Sequence, residues 1–302
     1  ERARLQATLG YRLAHAGLHV PDIQAADPER GFVLMEDLGD RLLLPELNES
    51  SVDPLYGQAM ASLLGMQLNA STEGLPDYDE ARLVAEMELM PEWLLKRHLG
   101  HVPECEEWDV VESAFRALAT SALAQPEVFV HRDYHSRNLL VTGQHSPGVI
   151  DFQDAVRGPI TYDLVSLLRD CYIQWPEARV AGWVEQYRLR LVEAGLTNVG
   201  SATFLRAFDL MGLQRHIKVL GIFCRLWYRD GKAGYLADIP RTLQYAVDSC
   251  ARHPDFAALG ELIAGVTAKA LILNGQGDDV AAAAAARWYK DHLSTARVEM
   301  VP

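Results

Sequence analysis

Residues 131–154 read HRDYHSRNLLVTGQHSPGVIDFQD and place Asp133, Asn138 and Asp151 on a loop, a short hairpin and a second turn. Leu139-Leu140-Val141 is an apolar run with strand character and Val149-Ile150 is another, with turn-rich sequence from Thr142 to Gly148 between them. That pattern predicts a β-hairpin with a longish loop. It brings Asn138, just before the first strand, close to Asp151, just after the second. Two hard oxygen ligands, completed by triphosphate oxygens and water, suit octahedral Mg²⁺, which seldom takes an all-protein cage. Asp133, five residues before Asn138, is then left to orient a hydroxyl and accept its proton. The chemistry such a set supports is phosphoryl transfer, where positioning and charge neutralisation supply most of the catalysis. The spacing H-x-D-x-x-x-x-N, followed by an Asp at a strand end, is the recurring form of that set.

Asp and Asn also favour ordinary turns, and Asp133 or Asn138 alone would carry little. The combination of spaced polar residues, an intervening hairpin and the apolar approach strand Val128-Phe129-Val130 rarely arises by chance. His131 is expected to pack the loop rather than act as a base. Asp163 opens the next helix after Thr161-Tyr162. It is expected to brace the backbone of the loop, the plainer alternative being a favourable negative charge at a helix N-terminus. Both roles are structural.

The stretch resembles the aminoglycoside phosphotransferase and choline kinase superfamily, the small-molecule relatives of protein kinases. That superfamily writes H-x-D-x-x-x-x-N and then I-D-(F/W)-x-(D/E) where protein kinases have D-F-G; here the second motif is Ile150-Asp151-Phe152-Gln153-Asp154. Gly148 to Pro176 further resembles the bacterial anomeric sugar kinases of cell-wall recycling, which phosphorylate N-acetylmuramate and N-acetylglucosamine at C1. The resemblance covers roughly residues 10–262. It implies an α+β, protein kinase-like fold with an incomplete β-containing N-lobe and a mostly helical C-lobe. It also implies ATP and Mg²⁺ as cofactors, Asp133 as the catalytic base, Asn138 and Asp151 as magnesium ligands, and a sugar lying among the helices that follow.

The elements that must position these residues come next. Leu5 to Ala16 reads as a helix ended by Gly17, and strands are expected near Ile23–Ala25 and over Gly31–Met35. Glu36-Asp37-Leu38-Gly39 follows. By the resemblance this is the hinge between lobes, with backbone groups near Glu36 and Leu38 meeting the adenine edge; a plain strand-to-turn transition is the alternative. Helices then dominate. Leu55, Ala59, Leu63 and Met66 give a helical period over Leu55–Leu68. Asp79 can cap a helix running toward His98, which Pro91 breaks or kinks. Glu106–Leu123 is another helix, and after the motif come Tyr162–Trp175, Glu177–Ala194, Ala202–Arg229 and Arg241–Arg252. Gly10, Gly65, Gly182 and Gly221 are exceptions inside these helices, each costing about 1 kcal/mol against Ala. The organisation expected is a partial N-lobe and hinge over 1–38, a helical C-lobe carrying the catalytic and metal loops over 39–264, and an appended tail over 265–302.

Polar residues within the apolar helices of the C-lobe suggest a cleft facing the motif. N-acetylmuramate would need a cation for its lactyl carboxylate, and Arg suits bidentate carboxylate binding. Arg169, Arg215 and His216 are the candidates, a solvated helix face being the alternative for each. Asp154, three residues after Asp151, is expected to face the same cleft. The acidic residues are scattered rather than gathered near the motif, which favours a neutral or anionic sugar over a polycationic aminoglycoside.

Composition agrees with this reading. A net charge of −13 argues against nucleic acid or an anionic membrane as partner, and a small-molecule sugar is the partner expected. The four cysteines, Cys105, Cys171, Cys224 and Cys250, show no paired metal spacing and read as inert thiols of a reducing compartment. No signal peptide or membrane-spanning run stands out, so a cytoplasmic enzyme is expected. The sequence leaves the oligomeric state open.

Two features depart from the pattern. Nothing before Gly31 supplies the glycine-rich phosphate loop or the strand Lys that such enzymes use, so weak nucleotide binding or slow turnover is expected of the chain as it stands. The tail, from Lys269, reads as a strand at Ala270–Leu273, a helix at Ala281–His292 and a strand at Ala296–Val301. That pattern resembles the end of an α/β-hydrolase with Asp278 or Asp279 as the acid, but no G-x-S-x-G turn accompanies it; the tail is expected to have no catalytic role. The activity expected is ATP- and Mg²⁺-dependent phosphorylation of the anomeric hydroxyl of an N-acetylated amino sugar. The alternatives are an aminoglycoside or other small-molecule phosphotransferase, and a catalytically dead nucleotide-binding module.

Overall fold

The chain folds, in the computed structural model, over described residues 2–274. Its first helix, α1 (Arg2–His15), ends at Gly17, whose φ of 85° lies where glycine terminates helices without a Cβ penalty. β1 (Ile23–Asp27) and β2 (Phe32–Met35) pair antiparallel, Asp27 opposite Phe32. The Glu36 N–H donates to the Asp22 carbonyl at 2.8 Å and prolongs that pairing by one step. Next come α2 (Leu43–Glu46), α3 (Val52–Asn69) and α4 (Glu80–Met87), then a π-helical stretch at Met90–His98 that opens with Pro91. The helix expected to run from Asp79 to His98 is thus interrupted where proline removes a backbone donor.

After α5 (Cys105–Leu123) the chain enters β3 (Glu127–Val130), the hairpin β4 (Leu139–Leu140) and β5 (Gly148–Val149), and β6 (Val156–Pro159). β3 pairs antiparallel with β6, and β4 with β5. α6 (Tyr162–Leu168), α7 (Glu177–Glu193), α8 (Ser201–Asp230), α9 (Ile239–Arg252) and α10 (Ala257–Asn274) complete the described chain. No described helix is long and apolar enough to cross a membrane.

Two compact units emerge, one from Glu1–Leu83 and Ala119–Gly212, the other from Val84–Leu118 and the residues from Leu213 on. In the first, Tyr56, Leu63, Phe129, Phe152, Tyr162 and Tyr187 are fully buried. Their polar ends are satisfied inside the core: the Tyr187 hydroxyl donates to Gln67 Oε1 at 2.8 Å, and Gln67 Nε2 donates to the Ile160 carbonyl at 2.9 Å. Buried polar atoms so paired avoid a desolvation penalty of about 1–3 kcal/mol each. In the second unit Gly221 lies against Leu89: a Cβ there would fall 2.5 Å from the Leu89 carbonyl oxygen. This glycine of α8 is therefore a close-packing requirement and not merely a tolerated exception. Burial raises the Cys224 and Cys250 thiols to about 12, which keeps them protonated and inert.

Three expectations need correction. The helix expected over Tyr162–Trp175 stops at Leu168, because Arg169 leaves helical geometry (φ −120°, ψ 49°) and Asp170 turns back toward the loop. The strand expected at Ala270–Leu273 is the last part of α10. Four apolar residues fit a buried helix as well as a strand, and here they extend a helix already formed from Ala257. For the same reason the boundary expected at 264/265 falls inside α10. The helix expected at Ala281–His292, the strand at Ala296–Val301, and Asp278 and Asp279 lie outside the described residues.

Candidate active site

The approach strand β3 is buried over Val128, Phe129 and Val130 and delivers the chain to His131. There the backbone leaves the sheet: Arg132 takes φ 76°, in the left-handed region, a conformation that costs a non-glycine residue roughly 1 kcal/mol or more. Asp163 at the start of α6 holds this turn, its Oδ2 accepting the His131 N–H at 2.6 Å and its Oδ1 the Arg132 N–H at 3.0 Å. The brace expected of Asp163 is thus present as two charge-assisted hydrogen bonds, the stronger kind.

His131 is wholly buried. Its Nε2 lies 3.0 Å from the Ile150 carbonyl, and its Nδ1 accepts the Asp133 N–H at 3.3 Å. One ring nitrogen accepts and the other must donate, so the imidazole is neutral and its tautomer is set by its surroundings. Burial first of all lowers its pKa to about 4, against opposing attraction from Asp133. The ring ties the residue before Asp151 to the backbone of Asp133 itself, as a packing group would.

Asn138 joins the three polar residues. Its Nδ2 donates to the Asp133 carbonyl at 3.0 Å and its own carbonyl accepts the Ile150 N–H at 3.2 Å. With the amide nitrogen turned to Asp133, the amide oxygen is the group it offers outward. Asp151, at φ 65°, is exposed, and its Oδ1 accepts from Gln153 Nε2 at 2.7 Å. The hairpin β4–β5 therefore does what its sequence requires, placing one amide oxygen and one carboxylate at its two ends. Both are hard oxygen donors, and Asp133 and Asn138 are half-buried. Such a pair fits Mg²⁺ that takes its remaining ligands from phosphates and water.

The segment after β2 lies on the same hairpin. Val141 N–H donates to the Arg41 carbonyl at 2.8 Å, Leu42 forms a bridge with Leu140, and a Cβ on Gly148 would fall 2.8 Å from Leu38 Cδ1. Glycine at 148 thus leaves room for Leu38 to close on the hairpin. The Glu36 N–H is spent on the Asp22 carbonyl, and Leu38 lies two residues on. Asp133, Asn138, Asp151 and Leu38 are thus all tied to the one hairpin, Asn138 bonding Asp133 and Ile150 and Leu38 packing at Gly148.

The remaining candidates are placed differently. Asp154 is exposed beyond buried Phe152 and Gln153. Arg169 is fully buried: its Nη2 pairs with Asp209 at 2.6 Å and with Glu177, and its guanidinium lies 4.8 Å from the Phe208 ring centre. That charge is held inside the first unit. Arg215 and His216 belong to the second unit, both buried, His216 stacked on Tyr245 at 4.8 Å.

Sequence reasoning missed Asp170. Its Oδ2 accepts the Ser136 N–H at 3.0 Å and the Ser136 hydroxyl, and its Oδ1 accepts the Tyr172 N–H at 3.1 Å. Asp163 and Asp170, seven residues apart at the two ends of α6, hold the two halves of the loop on either side of Asp133. The signal was a second acidic residue two helical turns after Asp163.

Residues 1–197 match the profile of the phosphotransferase enzyme family. A relative from Pseudomonas putida named N-acetylmuramate/N-acetylglucosamine kinase is 45% identical over 271 residues, 89% of this chain and 80% of that protein. One of the same name from Pseudomonas aeruginosa is 46% identical over 255 residues, 84% of this chain and 75% of the relative. Among solved structures, choline kinase LicA from Streptococcus pneumoniae superposes with a TM-score of 0.56 at 14% identity, over 82% of this chain and 81% of that one. The GDP complex of aminoglycoside 2'-phosphotransferase-IIIa gives 0.55 at 17% identity, over 83% of each chain. These likenesses carry the kinase-like fold expected from the sequence.

Proposed function

Because the chain belongs to the phosphotransferase enzyme family, we propose that it transfers the γ-phosphoryl group of ATP, with Mg²⁺, to the anomeric hydroxyl of an N-acetylated amino sugar. The acceptor is N-acetylmuramate or N-acetylglucosamine, the sugars in the names of its relatives. The observation that carries the reading is the bridge Asn138 makes between Asp133 and the residue before Asp151, on the background of those relatives.

Asp133 orients the sugar hydroxyl and takes its proton as the oxygen attacks phosphorus. Asn138 and Asp151 hold the metal through the amide oxygen and the carboxylate. When bound, Mg²⁺ neutralises charge on the phosphate oxygens. The Glu36 carbonyl and the Leu38 backbone meet the adenine edge, and Asp154 faces the acceptor. His131, held neutral, and Asp163 keep the loop in register without touching the reacting atoms. A nucleoside triphosphate donor places the reaction in the cytoplasm, and its product, a sugar 1-phosphate, suits the recycling of cell-wall sugars.

The test is ATP consumption by the full-length protein with Mg²⁺ and N-acetylmuramate, N-acetylglucosamine, kanamycin or choline as separate acceptors. Turnover with the N-acetyl sugars is expected, with the phosphate found on C1. Turnover with kanamycin or choline alone moves the acceptor to the other branches of the family, and ATP binding without turnover of any acceptor overturns the reading.

A further inference from the structure

Arg137 stands between Ser136 and Asn138, exposed on the loop that carries Asp133. Its guanidinium carbon sits 3.6 Å over the ring of Tyr172, and the His135 ring meets the same tyrosine edge-on at 5.5 Å between centroids. Asp170 fixes both bases of this stack. Only 1% exposed, it accepts the N–H of Ser136, next to Arg137, and the N–H of Tyr172. One carboxylate therefore holds the backbones on both sides of the stack, and one face of the guanidinium is occupied by an aromatic ring.

A stacked guanidinium still has its N–H edge, a planar fork that matches a carboxylate. Arg137 spends none of that edge on the protein: it forms no ion pair or hydrogen bond with another described residue. Other arginines of this unit are engaged, Arg169 with Asp209 and Glu177, and Arg179 with Glu49 and Asp53. In a chain of net charge −13, an unpaired and stacked arginine one residue from Asn138 and four from Asp133 is a site for an anionic group brought by a ligand.

We propose that Arg137, fixed on Tyr172, is a specificity-determining residue that binds a carboxylate of the acceptor. This rests on the sugar kinase reading above. N-acetylmuramate and N-acetylglucosamine share the anomeric hydroxyl and the acetamido group, and only the former carries a lactyl carboxylate. Arg137 takes that carboxylate with its N–H edge and so favours the acidic sugar.

The experiment compares kcat/KM for the two sugars in the wild-type full-length protein, in Arg137→Gln and in Arg137→Lys. The ratio of N-acetylmuramate to N-acetylglucosamine is expected to fall about tenfold or more in Arg137→Gln, through the KM for N-acetylmuramate, the size expected for one charge-assisted pair. Arg137→Lys restores only part of it, having charge without the fork or the stack. Since the ratio is internal to the active molecules, partial misfolding leaves it unmoved. Equal loss with both sugars, up to complete loss, overturns the proposal, because an arginine serving the nucleotide phosphates or the fold acts on both acceptors alike. A wild type that turns over neither sugar overturns the sugar kinase reading, and the proposal with it.

Discussion

The carboxylate of Asp163 accepts the backbone N–H of His131 at 2.6 Å, 32 positions earlier in the chain. With its other oxygen on Arg132 N–H, it compensates the left-handed turn that precedes Asp133. Asp163→Ala removes both acceptors and leaves a buried N–H at His131. A loss of about 3 kcal/mol in urea unfolding is expected, since charge-assisted hydrogen bonds to buried donors contribute about 1.5–3 kcal/mol each. A loss below about 1 kcal/mol would show that the turn holds without the brace.

His131 gives stability a pH dependence whose sign follows from its surroundings. In the unfolded chain its pKa is the ordinary 6.5; in the fold, burial holds it at about 4. Above 6.5 the ring is neutral in both states and the full stability is present. Between 6.5 and 4 the unfolded chain binds a proton that the folded protein does not, so stability falls with falling pH, by about 3 kcal/mol in all. His131→Gln is expected to be less stable at neutral pH and to lose this part of the pH slope. An unchanged slope in denaturant titrations from pH 7 to 4.5 would contradict the neutral, buried ring.

Arg169 separates a structural cation from a substrate-binding one. Removing it takes from the nearly inaccessible Asp209 the guanidinium it pairs with at 2.6 Å. Arg169→Ala is expected to cost about 3–5 kcal/mol, read as a drop in the unfolding midpoint. A variant that keeps its stability and only raises the KM for sugar would return Arg169 to the acceptor site.

Asp151 sits at φ 65°, and Asn, like Asp, tolerates that conformation better than most non-glycine residues. Asp151→Asn therefore removes the charge while sparing the backbone. The Mg²⁺ concentration for half-maximal turnover is expected to rise about tenfold or more, since magnesium has few protein ligands to lose. An unaltered magnesium dependence would take Asp151 out of the ligand set.

The parts of this site that were legible in the sequence are local. H-x-D-x-x-x-x-N, the apolar pairs of the hairpin and I-D-F lie within 24 residues, so spacing alone sets which groups meet. β6 was not legible: Val156-Arg157-Gly158-Pro159 carries Gly and Pro, which weaken a strand reading, and its partner β3 is supplied from 127–130. The end of α6 was missed for a similar reason. Nothing near Arg169 marks a stop; the helix ends because Asp170 bonds Ser136, far back in the chain. Arg169 itself looked like a cleft residue because a polar group in an apolar helix has two explanations, and its partner Asp209 lies forty positions on. Gly221 looked like a helix defect until Leu89 was seen against it.

The most direct measurement is phosphoryl transfer from ATP to N-acetylmuramate and N-acetylglucosamine by Asp133→Asn beside the wild type, with nucleotide affinity measured on both. Asn preserves the size of Asp133 but cannot accept the hydroxyl proton. Turnover is expected to fall about a thousandfold, within the range for loss of a general base, while nucleotide binding is retained. Turnover close to wild type would contradict the assignment of Asp133 and the mechanism built on it.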